Sequence, residues 1–202
     1  MSSNHSWRAN GLVAFFCLCG LCCMSAQAQS VGHEPVPGSD GQPGEGTLQA
    51  IPSLDLPRYM GSWFEIAKFP NRFQRKCTGA TRADYSLQAD GGVQVINRCR
   101  VDSGETIEVI GAGRQLGPAT SPKLEVRFAP AWLSFLPFVW GDYWVIDLDA
   151  QYQLVAVSEP KREYLWILSR TPHVAPKDYQ ALLARLSKMG FDLSKLEATK
   201  QD

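Results

Sequence analysis

GATRADYSLQADGGVQVINRCR occupies residues 79–100, and its reading decides the fold. Thr81, Ala83, Tyr85 and Leu87 alternate with Arg82, Asp84, Ser86 and Gln88, and Val93, Val95 and Asn97 alternate with Gln94, Ile96 and Arg98. Period two over this length marks strands with one face buried. Asp90-Gly91-Gly92 between the two runs marks a tight hairpin, because such turns need positive φ. The same alternation recurs on both sides. Leu124, Val126 and Phe128 alternate with charged residues, and Tyr164, Trp166 and Leu168 alternate with Leu165, Ile167 and Ser169.

Strands are predicted over roughly 62–69, 79–89, 92–100, 106–116, 122–128, 142–149, 152–158 and 163–170. Eight short strands joined mostly by short loops describe an antiparallel meander. Closing it into an up-and-down barrel removes both exposed edges. A barrel of eight strands has room inside for one small ligand. A helix follows over 176–188, opened by Pro176 and stopped by Gly190. Its stripe of Tyr179, Leu182, Leu183 and Leu186 is expected to pack on the outside of the barrel. The expected class is all-β, an eight-stranded antiparallel barrel with one C-terminal α-helix.

Upstream, Arg8, an apolar run from Leu12 to Met24 and Ala26-Gln27-Ala28 have the layout of a secretory signal over 1–28. The run is too short to span a bilayer as a helix. Cys17, Cys19, Cys22 and Cys23 follow Phe16, Leu18, Leu21 and Cys22, so none sits in the small-residue context of a lipid-acceptor cysteine. Residues 29–50, rich in Pro, Gly and Ser, are expected to form a flexible tail. The folded domain is expected over 51–197. Export leaves two cysteines, Cys77 and Cys99, whose default reading in an oxidising compartment is one disulfide. A free reactive thiol and an intermolecular bridge are the alternatives. Regular pairing about the 90–92 turn sets Cys99 opposite a residue near 82, so the chain at Cys77 has to bend across the rim.

Charge excludes several classes. The 202 residues carry 20 Lys and Arg against 20 Asp and Glu. A neutral chain lacks the electrostatic footprint of a nucleic-acid binder. Three histidines, at 5, 33 and 173, are too few and scattered for a His-rich metal site, and no cofactor is expected.

With the barrel in view, three motifs converge. Gly61-Ser62-Trp63 enters the first strand, Gly141-Asp142-Tyr143 enters the sixth, and Arg170 ends the eighth. In order and at barrel-compatible spacing they resemble the lipocalin family. The words LDLPRYMGSWFEIAKF, DGGVQVIN and EYLWILSRTP resemble its bacterial members and apolipoprotein D in particular. Topology agrees: the start of strand one and the end of strand eight are neighbours at one end. There Arg170 over Trp63 forms a cation–π plug, a structural role. Loops 70–78, 101–105, 129–141 and 159–162 then lie at the other, open end.

Counting from Trp63 places Glu65, Ala67, Ala83, Tyr85, Val93, Val95, Asn97, Phe128, Tyr143 and Trp166 on the inner face. The resemblance implies that Tyr85, Asn97, Phe128 and Trp166 are ligand-pocket positions. Aromatic walls with one amide and one carboxylate suit an amphiphile, such as a fatty acid or lysophospholipid; the alternative is that the aromatics fill the barrel as core. Glu65, a buried carboxylate, is expected to be hydrogen-bonded rather than catalytic, with no His or Ser partner evident. The loop with Trp132, Phe135, Phe138 and Trp140 is expected to close over the mouth or to meet a membrane surface. These readings describe an exported, non-enzymatic lipid carrier, in the periplasm or at the outer membrane if bacterial and secreted otherwise. An enzyme acting on a lipid in the cavity, or an interaction module using the open-end loops, is the alternative.

Overall fold

The computed structural model describes residues 46–202. The proposed leader and the tail up to residue 45 lie outside them. A short helix α1 (Leu56–Tyr59) precedes β1 (Gly61–Lys68), β2 (Cys77–Leu87), β3 (Val93–Val101), β4 (Thr106–Gln115), β5 (Lys123–Arg127), β6 (Gly141–Leu148), β7 (Leu154–Ser158) and β8 (Leu165–Ser169). Helix α2 (Pro176–Lys188) and a two-residue strand β9 (Glu197–Ala198) follow. Each of the first seven strands pairs antiparallel with the next, and β1 pairs with both β2 and β8, which closes the barrel.

Bounds differ where turn chemistry overrides alternation. The seventh strand starts at Leu154 rather than at 152, because Asp149 Oδ1 accepts the backbone N–H groups of Gln153 and Leu154 and Tyr152 takes φ 60°. That carboxylate builds the turn in place of a ladder.

Two apolar cores result. The inner one fills the lower barrel around Trp63, with Leu54, Leu56, Tyr59, Val93, Leu124 and Val155. The outer one joins the sheet to α2, through Ala67, Ile146, Ile167, Leu182, Leu186 and Phe191. Leu182 and Leu186 are fully buried, as the helical stripe predicts.

The folded part is longer than 51–197 at both ends. Leu48 is buried in the outer core, and Arg162 Nη2 donates to the Gly46 carbonyl at 2.8 Å. One leucine among prolines and glycines carries no periodicity, so it was legible only in three dimensions. At the other end β9 adds to β1, and the chain continues as a strap over the β1–β2 seam. Thr199 N donates to Ile66 O, and Gln201 Nε2 donates to the carbonyls of Glu65 and Thr81. Arg100 Nη2 donates to the Asp202 carbonyl.

The closed end is held by one guanidinium. Arg170 lies 3.9 Å from the centre of the Trp63 ring and donates to the carbonyls of Arg58, Tyr59 and Ser62 at 2.9–3.1 Å. Trp63, fully buried, donates its indole N–H to Tyr59 O at 2.9 Å. Gly61 takes φ +97°, and a Cβ there would stand 3.2 Å from Arg170 Nη1, so both conformation and space call for glycine.

Cys77 and Cys99 are joined by a disulfide, their Cα atoms 5.5 Å apart. Straight pairing, continued from Arg82 opposite Arg98, would set Cys99 opposite Thr81. Two register shifts, between Cys77 and Gly79 and between Gly79 and Arg82, with Ala80 at φ 49°, bring Cys77 back across the rim. The extra residues bend the strand, as bulges do.

Candidate functional site

Opposite the plug, the barrel opens into a cavity of about 590 Å³. Its walls include Glu65, Ala83, Tyr85, Val95, Asn97, Phe128, Tyr143 and Trp166, the inner-face residues read from alternation. Val93 lies deeper, in the inner core, where it borders a small void toward the closed end.

Ala67 is a correction. It is fully buried but belongs to the outer core beneath α2. The pairing of β1 with β8 explains it: Glu65 faces Leu168, yet Ala67 faces Ile167, the very next residue of β8. Two residues opposite one make a bulge at Ile66 that reverses the inward phase. Lys68, rather than Ala67, then shares Glu65's side, its Nζ 3.9 Å from Glu65 Oε1.

Glu65 is buried and well bonded. Gln74 Nε2 donates to Oε2 at 2.5 Å, and the Thr199 hydroxyl donates to Oε1 at 2.6 Å. Burial raises its pKa above the usual carboxylate range, against the lowering effect of those two donors and of Lys68. Gln74 in turn accepts from Trp166 Nε1 at 2.9 Å. Gln74 and Thr199 were not singled out in the sequence, since neither the loop after β1 nor the strap has periodic patterning.

Aromatic rings climb from the cavity to the rim. Trp166 stacks on Tyr164 with centroids 5.7 Å apart, and Tyr164 meets Phe73 at the same separation. Across the cavity Phe128 lies over Gly111, where a Cβ would come within 2.6 Å of its ring. That glycine makes room for the mouth aromatic. At the floor, Tyr59, Tyr85 and Tyr143 join their hydroxyls: Tyr143 Oη is 2.7 Å from Tyr59 Oη and 3.0 Å from Tyr85 Oη. Burial raises the pKa of all three, Tyr85 to about 12, so they stay neutral near pH 7.

The loop between β5 and β6 divides its apolar residues. Phe138, Val139 and Trp140 border the cavity, while Trp132, Phe135 and Phe138 are each more than 70% exposed. Trp140 differs from the expected exposed group: it is half-buried, donates to Ser134 O at 2.8 Å, and has the Arg114 guanidinium 4.2 Å from its ring centre. It anchors the loop. Phe73, on the loop after β1, extends the exposed set at the same end. Among the described residues, no cluster of His, Cys, Asp and Glu is arranged to hold a metal ion, and no helix is long and apolar enough to cross a membrane.

A family model described as a lipocalin-like domain matches residues 54–201. This chain belongs to the lipocalin family. The lipocalin is 42% identical over 149 residues to the outer membrane lipoprotein Blc of Escherichia coli K12, covering 73% of this chain and 80% of that protein. It is 40% identical to temperature-induced lipocalin-1 of Arabidopsis thaliana, over 76% of this chain and 83% of the relative. Mouse apolipoprotein D is 30% identical, over 74% and 78%. Among solved structures, insecticyanin from the tobacco hornworm superposes with a TM-score of 0.59 at 18% identity, covering 78% of this chain and 87% of that one. That likeness shows the fold alone.

Proposed function

We propose that this lipocalin carries or stores a small hydrophobic ligand, of the fatty acid or lysophospholipid class, outside the cytoplasm. The cavity carries the reading. Its volume lies within the range of small-molecule sites, its lining is mostly apolar, and it opens at one end only, opposite the Trp63–Arg170 plug. An acyl chain fits the walls, with its polar head at the charged rim of Arg72, Asp142, Glu159 and Lys161. The disulfide supports export, as does similarity to an outer membrane lipoprotein. A carrier fits better than an enzyme. Cys77 and Cys99 are bonded to each other, and Glu65 is occupied by Gln74 and Thr199, so neither supplies a nucleophile or a free acid.

Titration with lysophosphatidylcholine or a long-chain fatty acid is expected to quench tryptophan fluorescence saturably, at one site per chain. Burying an acyl chain at about 25 cal/mol per Å² leaves micromolar or tighter affinity after the costs of association. Trp166→Ala should keep the fold and weaken binding at least roughly tenfold, since it removes a wall and its stack on Tyr164. If no lipid of either class saturates the signal, the reading fails.

The exposed aromatics at the mouth extend the proposal to contact with a lipid surface during loading. Trp132, Phe135 and Phe138 each lose roughly 1.5–3 kcal/mol of unfavourable hydration on leaving water, and indoles favour the bilayer interface. Wild type is expected to sediment with phosphatidylcholine–phosphatidylglycerol vesicles, and the triple Trp132→Ser, Phe135→Ser, Phe138→Ser variant to stay in solution with an unchanged melting temperature. Equal sedimentation of the two proteins would remove membrane contact and leave the loop as a lid.

A further inference from the structure

The floor of the cavity holds a proton for which the described residues supply no acceptor. Tyr59, Tyr143 and Tyr85 carry three O–H groups, and two hydrogen bonds join them in a chain with Tyr143 at its centre. Among the described residues, these hydroxyls have no other hydrogen-bond partner. Each phenol donates once. Two bonds use two protons, and the third has nowhere to go within the triad, whichever way the chain is oriented. The unbonded donor then sits on Tyr85, on Tyr143 or on Tyr59. Tyr85 and Tyr143 border the main cavity; Tyr59 borders only the small void below it.

The rings are held in place from beneath. Tyr59 packs on Trp63 at 5.0 Å and on Tyr85 at 5.8 Å, and Tyr85 meets Tyr143 edge-on at 6.1 Å. The plug therefore presets the floor, and the spare donor is not free to swing toward another acceptor. A ligand that displaces solvent from the floor without supplying an acceptor leaves this donor unpaired, which is costly, so a ligand that brings an acceptor is favoured over one that does not.

Resting on the carrier reading above, we infer that the cavity selects lipids that carry a neutral hydrogen-bond acceptor, a carbonyl or hydroxyl oxygen, on the buried part of the chain. A carboxylate at that depth is disfavoured, because the triad is uncharged and a buried anion needs a compensating cation. The polar head stays at the mouth, and the floor reads the tail.

The test uses palmitoyl-lysophosphatidylcholine, whose bulky head cannot enter first, and two analogues with one oxo group, at mid-chain or beside the terminal methyl. Affinities are measured by tryptophan quenching for wild type and two variants. In wild type, one oxo analogue should bind better than the plain lipid relative to its own transfer from water. In the double Tyr85→Phe, Tyr143→Phe variant, that preference, read as the ratio of oxo-lipid to plain-lipid affinity within the same protein, should fall roughly fivefold to tenfold, the worth of one neutral hydrogen bond. Tyr59→Phe should keep the preference, because two hydroxyls and one bond still leave one spare proton, now confined to the two residues facing the cavity. Melting curves establish that each variant folds. If both variants shift all three lipids equally, or neither changes the ratio, the selection is overturned while the carrier reading stands. If wild type binds none of the three, the carrier reading itself falls.

Discussion

Arg170→Ala is expected to lower the melting temperature by roughly 6–12 °C, the equivalent of about 3 kcal/mol in a domain of this size. The guanidinium does two things that alanine cannot. It covers the Trp63 ring at 3.9 Å, a cation–π contact of roughly 0.5–2 kcal/mol. It also satisfies the carbonyls of Arg58, Tyr59 and Ser62, where α1 turns into β1. Hydrogen bonds from a charged donor contribute about 1.5–3 kcal/mol each when shielded, less here because Arg170 is partly exposed. Arg170→Lys should recover only part of the loss, since an ammonium cannot fork across three carbonyls. Differential scanning calorimetry checks this. A variant that melts like wild type but loses lipid affinity would show that the plug belongs to the binding site instead.

Replacing Cys77 and Cys99 by serine should cost about 3 kcal/mol of unfolding free energy in the chain-entropy model, for a crosslink spanning 22 residues of sequence separation. Urea titration of oxidised wild type against the double variant gives the difference. The effect should be local as well as global. Cys77 ends the loop that carries Phe73 and Gln74, so the variant should be cut by protease within 70–78 before the barrel unfolds. Unchanged midpoints and an unchanged cleavage pattern would mean that the bulged start of β2 is held without the bridge.

Where the chain repeats with period two, the sequence was legible residue by residue. Tyr85, Val95, Asn97 and Trp166 reach the cavity because β2, β3 and β8 keep their phase through the middle of the barrel. Ala67 went astray because one bulged residue in β1 is invisible to a count from Trp63. The loop over 129–140 showed its apolar content but not which ring would turn inward. Trp140 is selected by Arg114 and Arg127, which are distant in sequence. Glu65 was recognisable as a buried acid, yet its donors come from Gln74 and Thr199, nine and 134 positions away. Such partners are fixed by closure of the whole barrel rather than by any local pattern.

The strap after β9 has a practical consequence for anyone handling the protein. Chain ends are ordinarily chosen for affinity tags, fluorophores and fusions because they are loosely held. Residues 199–202, by contrast, are threaded along a sheet seam: Ala80 N donates to Lys200 O, Gln201 bridges β1 and β2, and Thr199 reaches the carboxylate beside the cavity. A label attached directly at Asp202 would tug on Arg100 and, through Thr199, on Glu65 and Gln74 at the mouth. Reporters of ligand binding are better placed on the 88–92 turn, at the far end of the barrel, where an attachment leaves the strap and the rim as they are.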